Sequence, residues 1–345
     1  MTSTSDQNPL LSVRDLSVTF GRTRKEAGFT AVDGLSFDVR PGQTIGLVGE
    51  SGCGKSVTSL AIMGLLPGRS TEVSGSVTYD GTDLLTLSDS ELRARRGREI
   101  SMIFQDPLSS LNPVVPIGRQ VTEVLERHQG LSRKAATPRA RDMLDKVGIP
   151  DPGRRLSDYP HQLSGGMRQR ALIAMALACE PRLLIADEPT TALDVTIQAQ
   201  ILALLRDLVE DTGTALIMIT HDLGVVAGLC DEINVLYGGR LVERAERHPL
   251  FAEPRHPYTG GLLASVPSLE GDRGGRLNPV PGSVSDNLPW ASACAFAPRC
   301  ANAEDRCREA TPGLAVGAGH RALRCFNPLS GSPSPVEGAT TEEAR

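Results

Sequence analysis

An α/β fold is what the sequence predicts: a mostly parallel sheet, preceded by an antiparallel β subdomain, interrupted by an inserted helical subdomain and followed by a small Cys-rich C-terminal segment. Three observations carry this. Short apolar runs alternate with helical stretches through the middle of the chain, the pattern of a sheet covered on both faces. Two longer segments of alternating polarity open the chain, and from Pro107 to about Cys179 helical patterns follow one another with no strand between them.

The elements follow in order. "LSVRDLSVTF" and "AVDGLSFDVR" alternate apolar and polar residues around a polar "GRTRKEAG" loop, which predicts an antiparallel pair. "QTIGLVGE" is a short buried strand that runs into "GESGCGKS" (49–56), and "KSVTSLAIMGLL" continues as a helix. "SDSELRARRG" carries a capping-box pattern from Ser88 to Glu91, and "EISMIFQDP" is a strand ended by Pro107. The insertion (107–180) holds "IGRQVTEVLERHQ", "RKAATPRARDMLDKVG" and "HQLSGGMRQRALIAMALA". The strand "RLLIADEP", the helix "TIQAQILALLRDLVEDTG" and the strand "ALIMITHD" come next, and "YGGR" (237–240) predicts a hairpin that closes this domain, 8–255. Proline, glycine and cysteine dominate 256–330, and 331–345 has the composition of a disordered tail.

Composition excludes several classes. With 36 Lys+Arg against 41 Asp+Glu and 3% aromatic residues, the chain lacks the basic groove and stacking rings of a general nucleic-acid binder. Apolar runs such as "ALIAMALA" fall far short of the roughly 18 residues of a membrane span. No basic start followed by an apolar segment opens the chain, so the expected compartment is a reducing cytosol, where disulfides are disfavoured.

The chemistry begins at the glycine loop. Gly49, Glu50, Ser51, Gly52, Cys53, Gly54, Lys55 and Ser56 complete an eight-residue phosphate-binding pattern between a strand and a helix. Its glycines let the backbone wrap phosphate, Lys55 reaches the outer phosphates, and Ser56 can offer its hydroxyl to Mg²⁺. In "LLIADE", Asp187 falls at the tip of a buried strand, suited to hold the metal, and Glu188 can polarise an attacking water. A second anion site stands at Ser164, Gly165 and Gly166, where a helix opens on free N–H groups and the positive end of its dipole.

From Phe20 to about Glu243 the chain resembles an ATP-binding cassette (ABC) ATPase, with the motifs of that family in order. The resemblance implies a RecA-like core and ATP with Mg²⁺ as ligands. It assigns Phe20 to adenine stacking, with Phe29 as the competing ring, and Gln105 to Mg²⁺ and coupling. "LSGGM" (163–167) becomes the signature motif, Asp187 the metal carboxylate and Glu188 the catalytic base. Asp194 in "TALD" matches the dimer-contacting loop and His221 in "ITHD" the γ-phosphate histidine. In this family two cassettes pack head to tail, so the resemblance implies that Ser164, Gly165 and Gly166 complete the partner's nucleotide site.

"DPLSSLNPVVPIGRQV" after Gln105 and "HPYTGGLLASVP" (256–267) are similar to the peptide and nickel importer subfamily. Membership implies an ATPase subunit of a dipeptide or oligopeptide importer, peripheral on the cytoplasmic face of the membrane. Its partners would be a second, related but different cassette, two transmembrane permease subunits and, through the complex, an extracytoplasmic solute-binding protein, with no nucleic acid. Nickel or another small solute is the alternative cargo. DNA-repair relatives insert long coiled coils that this chain lacks, and translation relatives carry two cassettes where this chain carries one.

Four of the seven cysteines, Cys294, Cys300, Cys307 and Cys325, cluster in the C-terminal segment with gaps of five, six and seventeen residues. That spacing is wider than the tight pairs of structural zinc sites and suits a [4Fe–4S] cluster, the favoured expectation, with zinc or unliganded thiols as alternatives.

Overall fold

The computed structural model describes residues 8–21, 28–68, 70–191, 193–265, 280–284, 293–317 and 320–329. The expected tail, 331–345, lies outside them. β1 (Leu11–Phe20) and β2 (Phe29–Val39) pair antiparallel, with Val13, Leu16, Val18, Val32, Leu35 and Phe37 turned into a dry interior. β3 (Thr44–Val48) is buried at every position and feeds α1 (Lys55–Ile62) through the glycine loop. β4 (Thr71–Tyr79) and β5 (Thr82–Asp83) extend the first sheet to the order β2-β1-β4-β5. The Ser88–Glu91 capping box forms as expected at the start of α2 (Asp89–Arg95).

β6 (Ile100–Ile103) leads into the helices α3 (Pro107–Ser110), α4 (Ile117–Gln129), α5 (Arg133–Lys146), α6 (Pro152–Arg155) and α7 (Gly165–Leu177). After them β7 (Leu183–Asp187), α8 (Val195–Thr212), β8 (Ala215–Thr220), α9 (Leu223–Leu229) and β9 (Glu232–Tyr237) restore the strand–helix alternation. β3, β6, β7, β8 and β9 run parallel in the spatial order β9-β3-β8-β7-β6. The "YGGR" turn joins β9 to β10 (Arg240–Glu246) with Gly238 at φ 58° and Gly239 at φ 73°, the two positive values that a tight two-residue hairpin demands.

The C-terminal segment is built onto this core. α10 (Arg247–Ala252), α11 (Pro257–Ala264) and α12 (Asp305–Glu309) precede β11 (Ala315–Val316) and β12 (Ala322–Leu323), and β12 pairs with β10 at the sheet edge. Tyr258, Phe296 and Val284 pack into the same apolar cluster as Val235 and Tyr237. Tyr237, Tyr258 and Phe296 meet edge-on or tilted at 4.8 to 5.3 Å between ring centres, so aromatic contacts bind the segment to the end of β9. Glu243 on β10, fully buried, accepts the N–H groups of Arg255 and His256 and an Arg321 guanidinium bond at 2.8 Å.

His256 makes this docking acid-sensitive. Its Nδ1 accepts the Tyr258 N–H at 3.0 Å, capping α11, and burial drives its pKa down from 6.5 to about 3. The unfolded chain therefore binds a proton near pH 6.5 that the folded chain refuses until about pH 3. Stability falls as pH drops below about 6.5, and this contribution keeps falling to about pH 3. Thermal melts between pH 7 and 5, above the main carboxylate range, check this. His256→Asn, which keeps an acceptor at the cap, should flatten the decline, and an unchanged slope would reject His256 as its source.

Candidate active site

The carboxyl ends of four parallel strands converge. β3 delivers the glycine loop, β6 Gln105, β7 Asp187 and Glu188, and β8 His221, where an open α/β sheet gathers its ligand-binding residues. The glycines are dictated by space. A Cβ on Gly49 would run into the Leu236 carbonyl of β9, and one on Gly54, at φ 94°, would lie 2.5 Å from the Ala31 carbonyl. Gly54 caps α1, whose first-turn N–H groups face the loop. Lys55, 5% exposed, donates to the carbonyls of Gly49 at 2.6 Å and Glu50 at 3.0 Å, so its ammonium hangs inside the loop. Cys53 is a buried filler whose thiol burial pushes up.

Ser56 donates its hydroxyl to Asp187 at 3.0 Å. Burial at the strand tip raises the Asp187 carboxyl, and the Ser56 bond and the Lys55 charge work against that rise. The pair is two hard oxygen donors beside a phosphate-shaped loop, a donor set that fits Mg²⁺.

Glu188 follows with φ 46°, a left-handed conformation that costs a non-glycine residue energy and aims its side chain away from the strand. Three neighbours hold its carboxylate: Gln105 Nε2 at 3.1 Å, the Thr191 hydroxyl at 2.8 Å and His221 Nδ1 at 3.3 Å. The His221 side chain is 61% exposed, so it is no core histidine. Gln105, Asp187, Glu188 and His221 therefore form one group at the mouth of the loop. Thr191 belongs to it too. It lies in "EPTTALD" and went unread because a threonine after a strand carries no signal of its own.

The other expected residues stand elsewhere. Ser164 caps α7 through the Met167 N–H and is exposed with Gly165. The space around Gly165 is open, with Leu193 in ordinary contact at 3.7 Å, whereas a Cβ on Gly166 would meet Ile197 of α8 at 2.8 Å. Gly166 thus serves helix packing as well as any anion. Asp194 is exposed and caps α8 through the Ile197 N–H at 2.9 Å. Phe20 and Phe29 are register partners on β1 and β2. Phe20 is half-buried, Phe29 is 39% exposed, and the geometry offers both rings at the same edge.

Residues 32–191 match the family described as "ABC transporter" and residues 242–307 the family "Oligopeptide/dipeptide transporter, C-terminal region". The chain is 51% identical to the dipeptide transport ATP-binding protein DppD of Bacillus subtilis, over 92% of this chain and 94% of that protein. It belongs to the ATP-binding subunits of ABC transporters. This subunit is also 49% identical to the oligopeptide transport ATP-binding protein OppD of Salmonella typhimurium, over 93% and 95% of the two chains. The ATP-binding cassette MJ0796, solved as a dimer bound to ADP and Pi, superposes with a TM-score of 0.61 at 28% identity, covering 69% of this subunit and 98% of that cassette. The predicted cassette fold is therefore the one observed.

The expected iron–sulfur cluster is corrected. Cys294, Cys300, Cys307 and Cys325 line one cavity with His256 and Phe296, and its volume of about 10 Å³ has room for about one water. Among the described residues no group of three or more His, Cys, Asp or Glu side chains could hold a metal ion, so zinc finds no support either. Burial raises the thiols of Cys294 and Cys300 and pushes Cys325 up to about 12. These cysteines read as packed thiols beside the aromatic cluster. No helix among the described residues is long and apolar enough to cross a membrane.

Proposed function

We propose that the chain is the ATP-hydrolysing subunit of an importer for dipeptides or oligopeptides, peripheral on the cytoplasmic face of the membrane. The observation that carries it is the Glu188 carboxylate, held by Gln105, Thr191 and His221 beside the Ser56–Asp187 pair and the glycine loop. The glycine loop and the α1 N-terminus bind the phosphates of ATP, with Lys55 swinging from its carbonyls to their outer oxygens. Ser56 and Asp187 hold Mg²⁺, which when bound neutralises phosphate charge. Glu188 accepts the proton of the attacking water, and the hydrogen bonds of Gln105 and Thr191 fix where it does so. His221, beside Glu188 and largely exposed, would reach the terminal phosphate of a bound nucleotide.

Ser164 and Gly165 complete the site of a second cassette, since they are exposed and open an α-helix, and among the described residues no hydrogen bond joins them to the glycine loop, Asp187 or Glu188. That partner is a related, different chain. Two permease subunits dock around Gln105 and the helices of 107–180, and a solute-binding protein delivers the peptide from the far side. The peptide cargo rests on relatives named for dipeptide and oligopeptide transport that align over more than nine-tenths of the chain and on the C-terminal match. Purification of the tagged chain from solubilised membranes tests the assembly. Two permease chains and a second cassette are expected, and ribosomes or DNA in their place would refute it.

A further inference from the structure

The C-terminal segment reaches the nucleotide site through one residue of the glycine loop. Glu50 makes a two-pronged ion pair with Arg299, at 2.8 Å to Nη1 and 2.9 Å to Nη2, and its backbone N–H donates to the Tyr258 hydroxyl at 2.9 Å. Arg299 is held on every side. Its side chain is 5% exposed, its Nε donates to the Pro281 carbonyl at 2.6 Å, Nη2 to Val280 at 3.2 Å and Nη1 to the Tyr237 hydroxyl at 3.3 Å. The guanidinium also lies 5.7 Å from the Tyr237 ring centre. Tyr237 ends β9, the strand whose Leu236 carbonyl abuts Gly49, and the next turn's Gly239 N–H donates to Cys53 at 3.1 Å. Such a half-buried fork costs more to break than a surface ion pair, because an orphaned Arg299 stays largely desolvated.

Nothing in ATP hydrolysis itself requires an acidic side chain on the glycine loop to be tied to a segment 249 residues away. A loop that binds phosphate through its backbone loses affinity when it has to be ordered at the moment of binding. We propose that Arg299 and Tyr258 are positioning residues for the nucleotide site: by clamping Glu50 they make the docked C-terminal segment set the shape of the phosphate-binding loop. The segment and the nucleotide are then thermodynamically coupled, so ATP stabilises the docked segment and the docked segment raises ATP affinity. This rests on the glycine loop being the nucleotide site, as proposed above.

Equilibrium binding of a fluorescent ATP analogue to the full chain tests it, with no need for turnover. Arg299→Gln should weaken binding about tenfold, within the usual range of site-to-site coupling. Glu50→Gln should do the same, and the double variant should be no worse than either single one, because both remove one interaction. Arg299→Lys, which keeps the charge and loses the fork, should fall between. Lys55→Ala should lose binding whatever Arg299 does. If Lys55→Ala loses binding while Arg299→Gln and Glu50→Gln bind as tightly as the native chain, the clamp is refuted and the nucleotide site stands. A lower melting temperature with unchanged affinity refutes it equally, since that is what a purely structural ion pair would give. Full binding by Lys55→Ala would instead refute the nucleotide-site reading. Should Arg299→Gln fail to fold, Glu50→Gln breaks the same contact from the loop side and decides alone.

Discussion

Glu188→Gln should bind ATP as tightly as the native chain and lose nearly all turnover. The substitution is isosteric, so the glycine loop, Lys55 and the Ser56–Asp187 pair keep their places. What changes is the atom that would take the proton from water. A carboxylate accepts it and an amide cannot, a loss that general-base catalysis values at about 10² to 10⁴ in rate. The local hydrogen bonds sharpen the effect. Gln105 and Thr191 both donate to the same oxygen of Glu188, so an amide must turn its oxygen toward them and point its NH₂ at His221 Nδ1. Steady-state ATPase of the assembled complex measures the loss, and nucleotide trapped in a stable closed dimer is the companion result. Hydrolysis at the native rate would remove Glu188 from the role of base.

The second large effect lies on the signature helix and should be invisible in the isolated subunit. Gly165→Asp sets a negative charge at the positive end of α7, and Ser164→Arg fills the same exposed surface with a long side chain. Leu193, in ordinary contact with a Cβ on Gly165, leaves that substitution room, and Ser164 is exposed, so the fold should survive. Nucleotide binding to the subunit should stay native because no hydrogen bond among the described residues joins Ser164 or Gly165 to Lys55, Ser56, Asp187 or Glu188. ATPase of the complex should fall on the order of tenfold or more, as when one preorganised donor to a developing charge is removed. Gly166 is the wrong residue for this test, since its Cβ would strike Ile197 and disturb packing directly. Equal loss of ATP affinity in the isolated subunit would mean that the signature serves its own site.

Much of this site was legible because its parts are contiguous in sequence. The glycine loop, the apolar run ending at Asp187 and Glu188, and the "YGGR" hairpin each declare their backbone geometry within eight residues. The boundaries of α4 and the Ser88 capping box were legible for the same reason. What escaped depends on distant pairing. β4, with the Ser- and Gly-rich "TEVSGSVTY", has no strong alternation and becomes a strand because β1 offers it an edge. β12 is two residues that form a strand only against β10 and β11. Arg299 sits in "APRC" among cysteines, and only the folded chain brings it to Glu50. The cysteine spacing invited a cluster because spacing ignores the room between side chains, and the cavity that the four cysteines share with Phe296 is small. "HPYT" was visible as a motif. That its tyrosine would hold the glycine loop was not.

Peptide uptake by cells is the most direct test. In a strain lacking this subunit, labelled dipeptide and short oligopeptide uptake should be absent, restored by the native chain and not by Glu188→Gln produced at the same level. Uptake that persists without the subunit, or that Glu188→Gln restores in full, would contradict an importer driven by ATP hydrolysis at this site.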